Sequence, residues 1–151
     1  VKTVALGTLL FGLAYAAEPR AISVKESSEL VLAMLKADGW TRLPGFTLEI
    51  AGCCVPSESP DYHLINASWD NPGGGNAIGH YAVDQATGEI WDWVGCVYFT
   101  SPALTKAQET IRHRIGMSSN QYQRVRKNAP WCDPGQKPLA IKMGRPMWGL
   151  K

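Results

Sequence analysis

The residues of this chain best suited to chemistry are four cysteines and three histidines. A thiolate beside an imidazole makes a nucleophile with its base, and Cys54 with His80 would form such a pair. That chemistry usually places the cysteine at a helix start, where the helix dipole lowers its pKa. Cys53-Cys54 instead ends an alternating run and precedes Val55-Pro56, which carries no helix signal. Disulfide bonding accounts for the cysteines better, provided the chain folds in an oxidising compartment. Four cysteines allow three connectivities. Adjacent strand residues point to opposite faces, so Cys53 and Cys54 are expected to bond neither each other nor one shared partner region. The expectation is one bond to Cys96 in the sheet and one to Cys132 in the tail, and the sequence leaves open which cysteine makes which. A zinc site is disfavoured because no Cys-x-x-Cys spacing occurs. His63 and His113 lack a metal-spaced partner. Asp84 and Asp92 form a conceivable carboxylate pair, but Asp84 belongs to a turn and Asp92 reads as a solvated strand residue. No catalytic residue, metal or cofactor is assigned.

A different chemistry, recognition, is carried by the aromatics. Trp69, Trp91, Trp93, Tyr98, Trp131 and Trp148 are of the types that fill cores and also dominate protein-binding hot spots. Trp91 and Trp93 read as core. Trp69 sits at a strand end, followed by Asp70-Asn71-Pro72-Gly73-Gly74-Gly75-Asn76, a wide glycine-rich turn. Consecutive glycines can cradle a phosphate, but that use needs a helix N-terminus next, and a strand follows here. The turn therefore reads as a flexible hairpin loop. Trp69, Asp70, Asn71, Gly74 and Asn76 are the expected binding residues, with Trp69 as the anchor.

The elements that must position these residues centre on residues 78–99, IGHYAVDQATGEIWDWVGCVYF. Runs at 79–83 and 89–99 are aromatic and β-branched, and Asp84-Gln85-Ala86-Thr87-Gly88 between them ends in a glycine suited to closing a hairpin. Read as one strand, 89–99 puts Trp91, Trp93, Gly95, Val97 and Phe99 on one face. Upstream, Ser27 is a plausible cap for a helix carrying Leu30, Val31, Met34 and Leu35 and stopped at Gly39. Phe46, Leu48 and Ile50 alternate with polar neighbours as a first strand, residues 56–61 form a loop, and YHLINASW, 62–69, is a second strand. Ser101-Pro102 starts a helix over 103–115, and 118–127 reads as a second short helix with Tyr122 and Val125 inward. The remainder is broken by proline and glycine, and is expected to be an irregular tail pinned through Cys132. The layout is α+β: an antiparallel sheet of about four strands packed on an N-terminal helix, with C-terminal helices.

With 151 residues, 45% hydrophobic and 19% charged, the chain has the length and make-up of one globular domain. A net charge of +2 is too small to point to nucleic acid, and the basic residues from Arg112 to Lys127 are diluted by Gln and Asn, with no aromatic interleaving that makes a stacking platform. Lys2, the apolar run 4–13 and Ala14-Tyr15-Ala16 have the form of a secretion signal with a small-x-small cleavage site. The apolar run falls short of the ~20 residues that span a bilayer. Residues 1–16 are thus expected to be a signal peptide and 17–151 a single α+β domain, periplasmic or secreted, with no membrane span in the mature chain.

A helix, a strand such as YHLINASW, a glycine-rich turn and a strand closing in YAVDQATGEIW resemble the small secreted proteins of the cystatin and nuclear-transport-factor-two type. That group includes PepSY-like inhibitory modules and the immunity proteins bacteria use against rival toxins. The resemblance spans about residues 27–93. It implies a non-catalytic protein that blocks an enzyme, and it assigns no functional residues. The Gly79-His80-Tyr81-Ala82-Val83 strand together with Cys54 resembles the Cys/His arrangement of NlpC-type cell-wall hydrolases. The expected function is a periplasmic bacterial binding protein, an immunity-type inhibitor that occludes a toxin or envelope enzyme. The alternatives are a cysteine-dependent envelope hydrolase using Cys54 and His80, or a small-ligand module with a pocket between sheet and helix.

Overall fold

The structure, a computed structural model, describes residues 21–51, 61–127 and 132–144. The expected signal peptide and cleavage site, Cys53 and Cys54, Trp131 and Trp148 lie outside the described residues.

The first helix, α1, runs Val24–Ala37. Its cap is Ser23 rather than Ser27: Ser23 Oγ accepts from Glu26 N, and Glu26 reaches back to Ser23 N at 2.8 Å, a closed capping box. Ser27 lies a turn inside the helix, fully buried, with its Oγ 2.8 Å from His63 Nδ1. A 3-10 turn, Trp40–Arg42, follows Gly39, whose φ of 84° suits a residue without a Cβ.

The sheet has six strands in sequence order: β1 Thr47–Ile50, β2 Tyr62–Ser68, β3 Ala77–Asp84, β4 Ile90–Asp92, β5 Val97–Thr100 and β6 Leu139–Lys142. Neighbours from β1 to β5 pair antiparallel, while β6 lies parallel to β5. The count exceeds the expected four for two reasons. The run 89–99 is not one strand: Asp92 Oδ1 accepts from Val94 N at 2.9 Å, the chain turns, and Ile90, Trp91 and Asp92 pair with Phe99, Tyr98 and Val97. The tail then supplies β6, whose Leu139 N donates to Cys96 O at 3.0 Å. Reversal at the turn also moves Val97 and Phe99 off the Trp91 face, since Phe99 is level with Ile90 and Tyr98 with Trp91.

The disulfide joins Cys96 to Cys132. This overturns both expected links to the Cys53-Cys54 pair. Cys96 lies at the turn just before β5, and the tail returns alongside β5 as β6, so Cys132 reaches its own sheet neighbour.

Two helices complete the fold, α2 Pro102–Arg114, with Ser101 as cap and proline in the first turn, and α3 Ser119–Lys127. One face of the sheet packs on α1 and α2 through Ile65, Ala67, Tyr81, Val83 and Ile90 against Val31, Met34, Leu35, Leu104 and Ile111. Burying a side chain such as Ile65 or Leu35 stabilises by about 1.5–3 kcal/mol relative to exposure. The other face carries Leu64, Ala82 and Trp91, with Tyr62, Trp93, Tyr98 and Cys132 against them. α3 is tied to the sheet by Glu89, a buried carboxylate that accepts from Tyr122 Oη at 2.6 Å and lies 3.5 Å from Arg126 Nε. Arg112 lies over the Tyr122 ring, its guanidinium carbon 4.1 Å from the ring centre.

Candidate functional site

The C-terminal end of β2 and the N-terminal end of β3 meet where the chain crosses residues 69–76, and the β4–β5 turn emerges at the same end. The crossing is built, not loose. Trp69 N donates to Asn76 O at 2.9 Å, and Asp70 N to Pro44 O at 2.8 Å. Asn71 organises the interior: its Nδ2 donates to Gly74 O and Gly75 O, and its Oδ1 accepts from Gly73 N at 3.1 Å. Gly74 and Gly75 have φ of 81° and 70°, so these glycines serve a defined turn geometry. The Asp70 carboxylate lies against the Cα of Gly45, in space that a Cβ there would occupy.

Of the five expected binding residues, Trp69 and Asn71 are half-buried, and Asp70, Gly74 and Asn76 are exposed. All five line one shallow hollow of about 490 Å³. The structure therefore gathers them, with Asn71 as the brace and Asp70 and Asn76 as the outward groups.

Beside this turn lies a group that sequence reasoning missed as a surface. His80 on β3 is level with Asn66 on β2, and its Nδ1 is 2.8 Å from Asn66 Oδ1. Its ring stacks on Trp93, centroids 5.3 Å apart at 22°. Trp93 N donates to His80 O, and the next residue, Val94, is 75% exposed at the tip of the β4–β5 turn. His80, a possible general base in the sequence, is thus engaged by an amide and an indole; Cys54 lies outside the described residues. Trp93 reads as core on strand alternation, yet it is half-buried at the sheet's end. The available signal was Asp92-Trp93-Val94-Gly95, an Asp and a Gly bracketing a turn with apolar residues at its tip.

The other titratable candidates are committed to the fold. Ser27 and His63 make a hydroxyl–imidazole contact, but Ser27 is sealed at 0% exposure, and burial lowers the pKa of His63. Asp84 accepts at Oδ1 from Ala86 N, Thr87 N and Thr87 Oγ1, whereas Asp92 caps its own turn, so the two carboxylates do not act together. Burial raises the pKa of Asp84 against the opposing pull of those donors, and it does the same to Glu89. His113 is exposed on α2. Among the described residues, no group of three or more His, Cys, Asp or Glu is placed to hold a metal ion.

No protein-family model matches the chain, and no curated protein matches its sequence. A solved structure does match in three dimensions. It is a chain of a type VI secretion system effector–immunity complex from Pseudomonas protegens, with a TM-score of 0.60 over 75% of this chain and 92% of that chain. The two share a fold. Sequence identity is 18%, so the likeness is one of architecture. The α+β arrangement is accordingly one that occurs in a chain of an effector–immunity pair. No helix among the described residues is long and apolar enough to cross a membrane.

Proposed function

We propose that this protein is an immunity-type inhibitor that binds a bacterial toxin or envelope enzyme and occludes its active site. The observation that carries the reading is the shared fold with a chain of an effector–immunity complex, which covers nearly all of that chain. The cystatin- and nuclear-transport-factor-two-type resemblance of residues 27–93 leads to the same class of protein. The inhibitor half of such a pair is favoured over the toxin half by the way reactive side chains are used: Ser27 is sealed, Asp84 and Asp92 cap turns, and His80 is held between Asn66 and Trp93.

The binding surface in this reading is the end of the sheet bearing residues 69–76, Asn66, His80, Trp93 and Val94. Trp69 and Trp93 supply aromatic contact area, Val94 an exposed apolar tip, and Asp70 a negative group for a basic or metal-bearing cleft. A turn already held by Asn71 loses little conformational entropy on binding.

The site of action is the periplasm or the exterior. The signal-like residues 1–16 support it, and the Cys96–Cys132 bond suits an oxidising compartment. Co-expression with the enzyme encoded beside the gene tests the function: the toxin alone arrests growth, and this protein restores it when both reach the periplasm. A chain that is itself toxic there overturns the reading.

The hydrolase alternative, with Cys54 as nucleophile and His80 as base, requires a free thiol. A thiol titration of the purified protein that finds none removes it.

A further inference from the structure

A second hollow, of about 340 Å³, lies on the helix-facing side of the sheet, between the C-terminal end of α1 and strands β3 to β6. Trp40, Tyr81, Phe99 and Met143 contribute apolar wall, and Asp38 and Asp92 bring two carboxylates. Ile78 and Gly79, the second and third residues of β3, also line it, so the hollow adjoins the proposed interface.

Each carboxylate is half committed. One oxygen of Asp38 accepts from Gly144 N, and one oxygen of Asp92 accepts from Val94 N at 2.9 Å. Among the described residues the other oxygen of each takes no hydrogen bond. Tyr81 lines the same hollow, 4% exposed, with its ring edge-on to Phe99 at 5.4 Å. The Tyr81 hydroxyl also meets no hydrogen-bond partner among the described residues. Gly79 makes room for it: a Cβ on Gly79 would stand 2.5 Å from that oxygen. Burial raises the phenol's pKa, and the negative charges of Asp92 and Asp38 raise it further, which places both carboxylates within electrostatic reach of the hydroxyl.

The Tyr81 hydroxyl and the two carboxylates thus open into one hollow whose remaining wall is largely apolar. An occupant that donates hydrogen bonds and carries positive charge complements all three groups, and aromatic walls favour a cation as well. Among the described residues the basic groups lining this hollow are Lys142, whose side chain is exposed, and His80, whose ring is engaged by Asn66 and Trp93, so two carboxylates face one lysine there. We propose that the hollow receives the cationic end of a basic side chain, a guanidinium or an ammonium, presented by the protein partner. This rests on the inhibitor reading and adds to it the chemistry of the group that the partner must offer.

The test needs no partner, so its failure is separate from any failure of the inhibitor reading. Calorimetric titration of the full chain with n-butylguanidinium chloride, against the neutral n-butylurea, reads the site directly. The guanidinium is expected to bind and the urea not to. Tyr81→Phe and Asp92→Asn are each expected to weaken binding roughly tenfold, the loss typical of one hydrogen bond to a charged group. Tyr81→Phe retains the ring against Phe99, so it keeps the test readable should Asp92→Asn melt early. Acetyl-Gly-Arg-Gly-amide identifies the source of the cation: binding comparable to n-butylguanidinium supports a protein side chain. A peptide that fails where n-butylguanidinium binds overturns the protein source in favour of a free small amine. Equal binding of the urea, or undiminished binding by a folded Tyr81→Phe variant, overturns the site.

Discussion

Asp84 ends β3 with one oxygen accepting from two backbone N–H groups and the Thr87 hydroxyl, at 2.7 to 2.9 Å. Asp84→Ala strands the buried Thr87 N–H and should cost roughly 2 kcal/mol or more, whereas Asp84→Asn retains the accepting oxygen and should cost clearly less. Urea unfolding of both variants checks this, and equal losses would contradict it. At the same turn Gly88 has a φ of 70°, and a Cβ there would lie 2.7 Å from Ile111 Cδ1. Gly88→Ala therefore combines backbone strain with overpacking and should destabilise by about 2 kcal/mol or more, measured in the same way. Gly88 was legible in the sequence because a hairpin loop advertises its positive-φ glycine locally. The Ser27–His63 contact was not, because it joins a helix to a strand with no local signal in either. The burial of His63 sets a pH dependence. Burial lowers the pKa of His63 in the fold, so the unfolded chain takes up the proton first, and stability falls as the pH drops below about 6.5, the ordinary histidine value. Melting temperatures from pH 8 to 5 should show this decline, and His63→Gln should flatten it. An unchanged slope in the variant would contradict the assignment.

Among the elements, the β4–β5 hairpin and β6 differ most from the sequence reading. Residues 89–99 carry the composition of one long strand, and only Asp92 and Gly95 mark the reversal between its halves. β6 was hidden because prolines and glycines surround Leu139–Lys142, and because its pairing depends on a cysteine distant in the chain rather than on local propensity. The disulfide expectation failed on the same point: the face rule for adjacent strand residues is sound, but the partner of Cys96 follows from where the tail returns. The Cys96–Cys132 bond closes a loop with a sequence separation of 36 residues. Replacing both cysteines with serine should cost about 2–4 kcal/mol. Peptide mapping should recover the Cys96–Cys132 link, and a mapped bond from either residue to Cys53 or Cys54 would refute the β5–β6 arrangement.

At the scale of the whole molecule, the helix-on-sheet architecture was readable from periodicity. The surface was half readable: the 69–76 turn stood out by its glycines, while Asn66, His80 and Trp93 come together only across two strands and the β4–β5 turn. Two variants probe that end. Val94 is exposed enough that Val94→Asp should leave melting unchanged while weakening partner binding by about 1–3 kcal/mol, by setting a charge on an apolar contact. Trp69→Ala should weaken binding by ~2 kcal/mol or more if it is an anchor. Unchanged affinity in both would move the interface elsewhere. Inhibition by direct occlusion is read most directly from the activity of the enzyme encoded beside this gene, titrated with the purified protein. Complete loss of that activity at one equivalent and a stable one-to-one complex are expected. Full activity in the presence of excess folded protein would contradict direct occlusion.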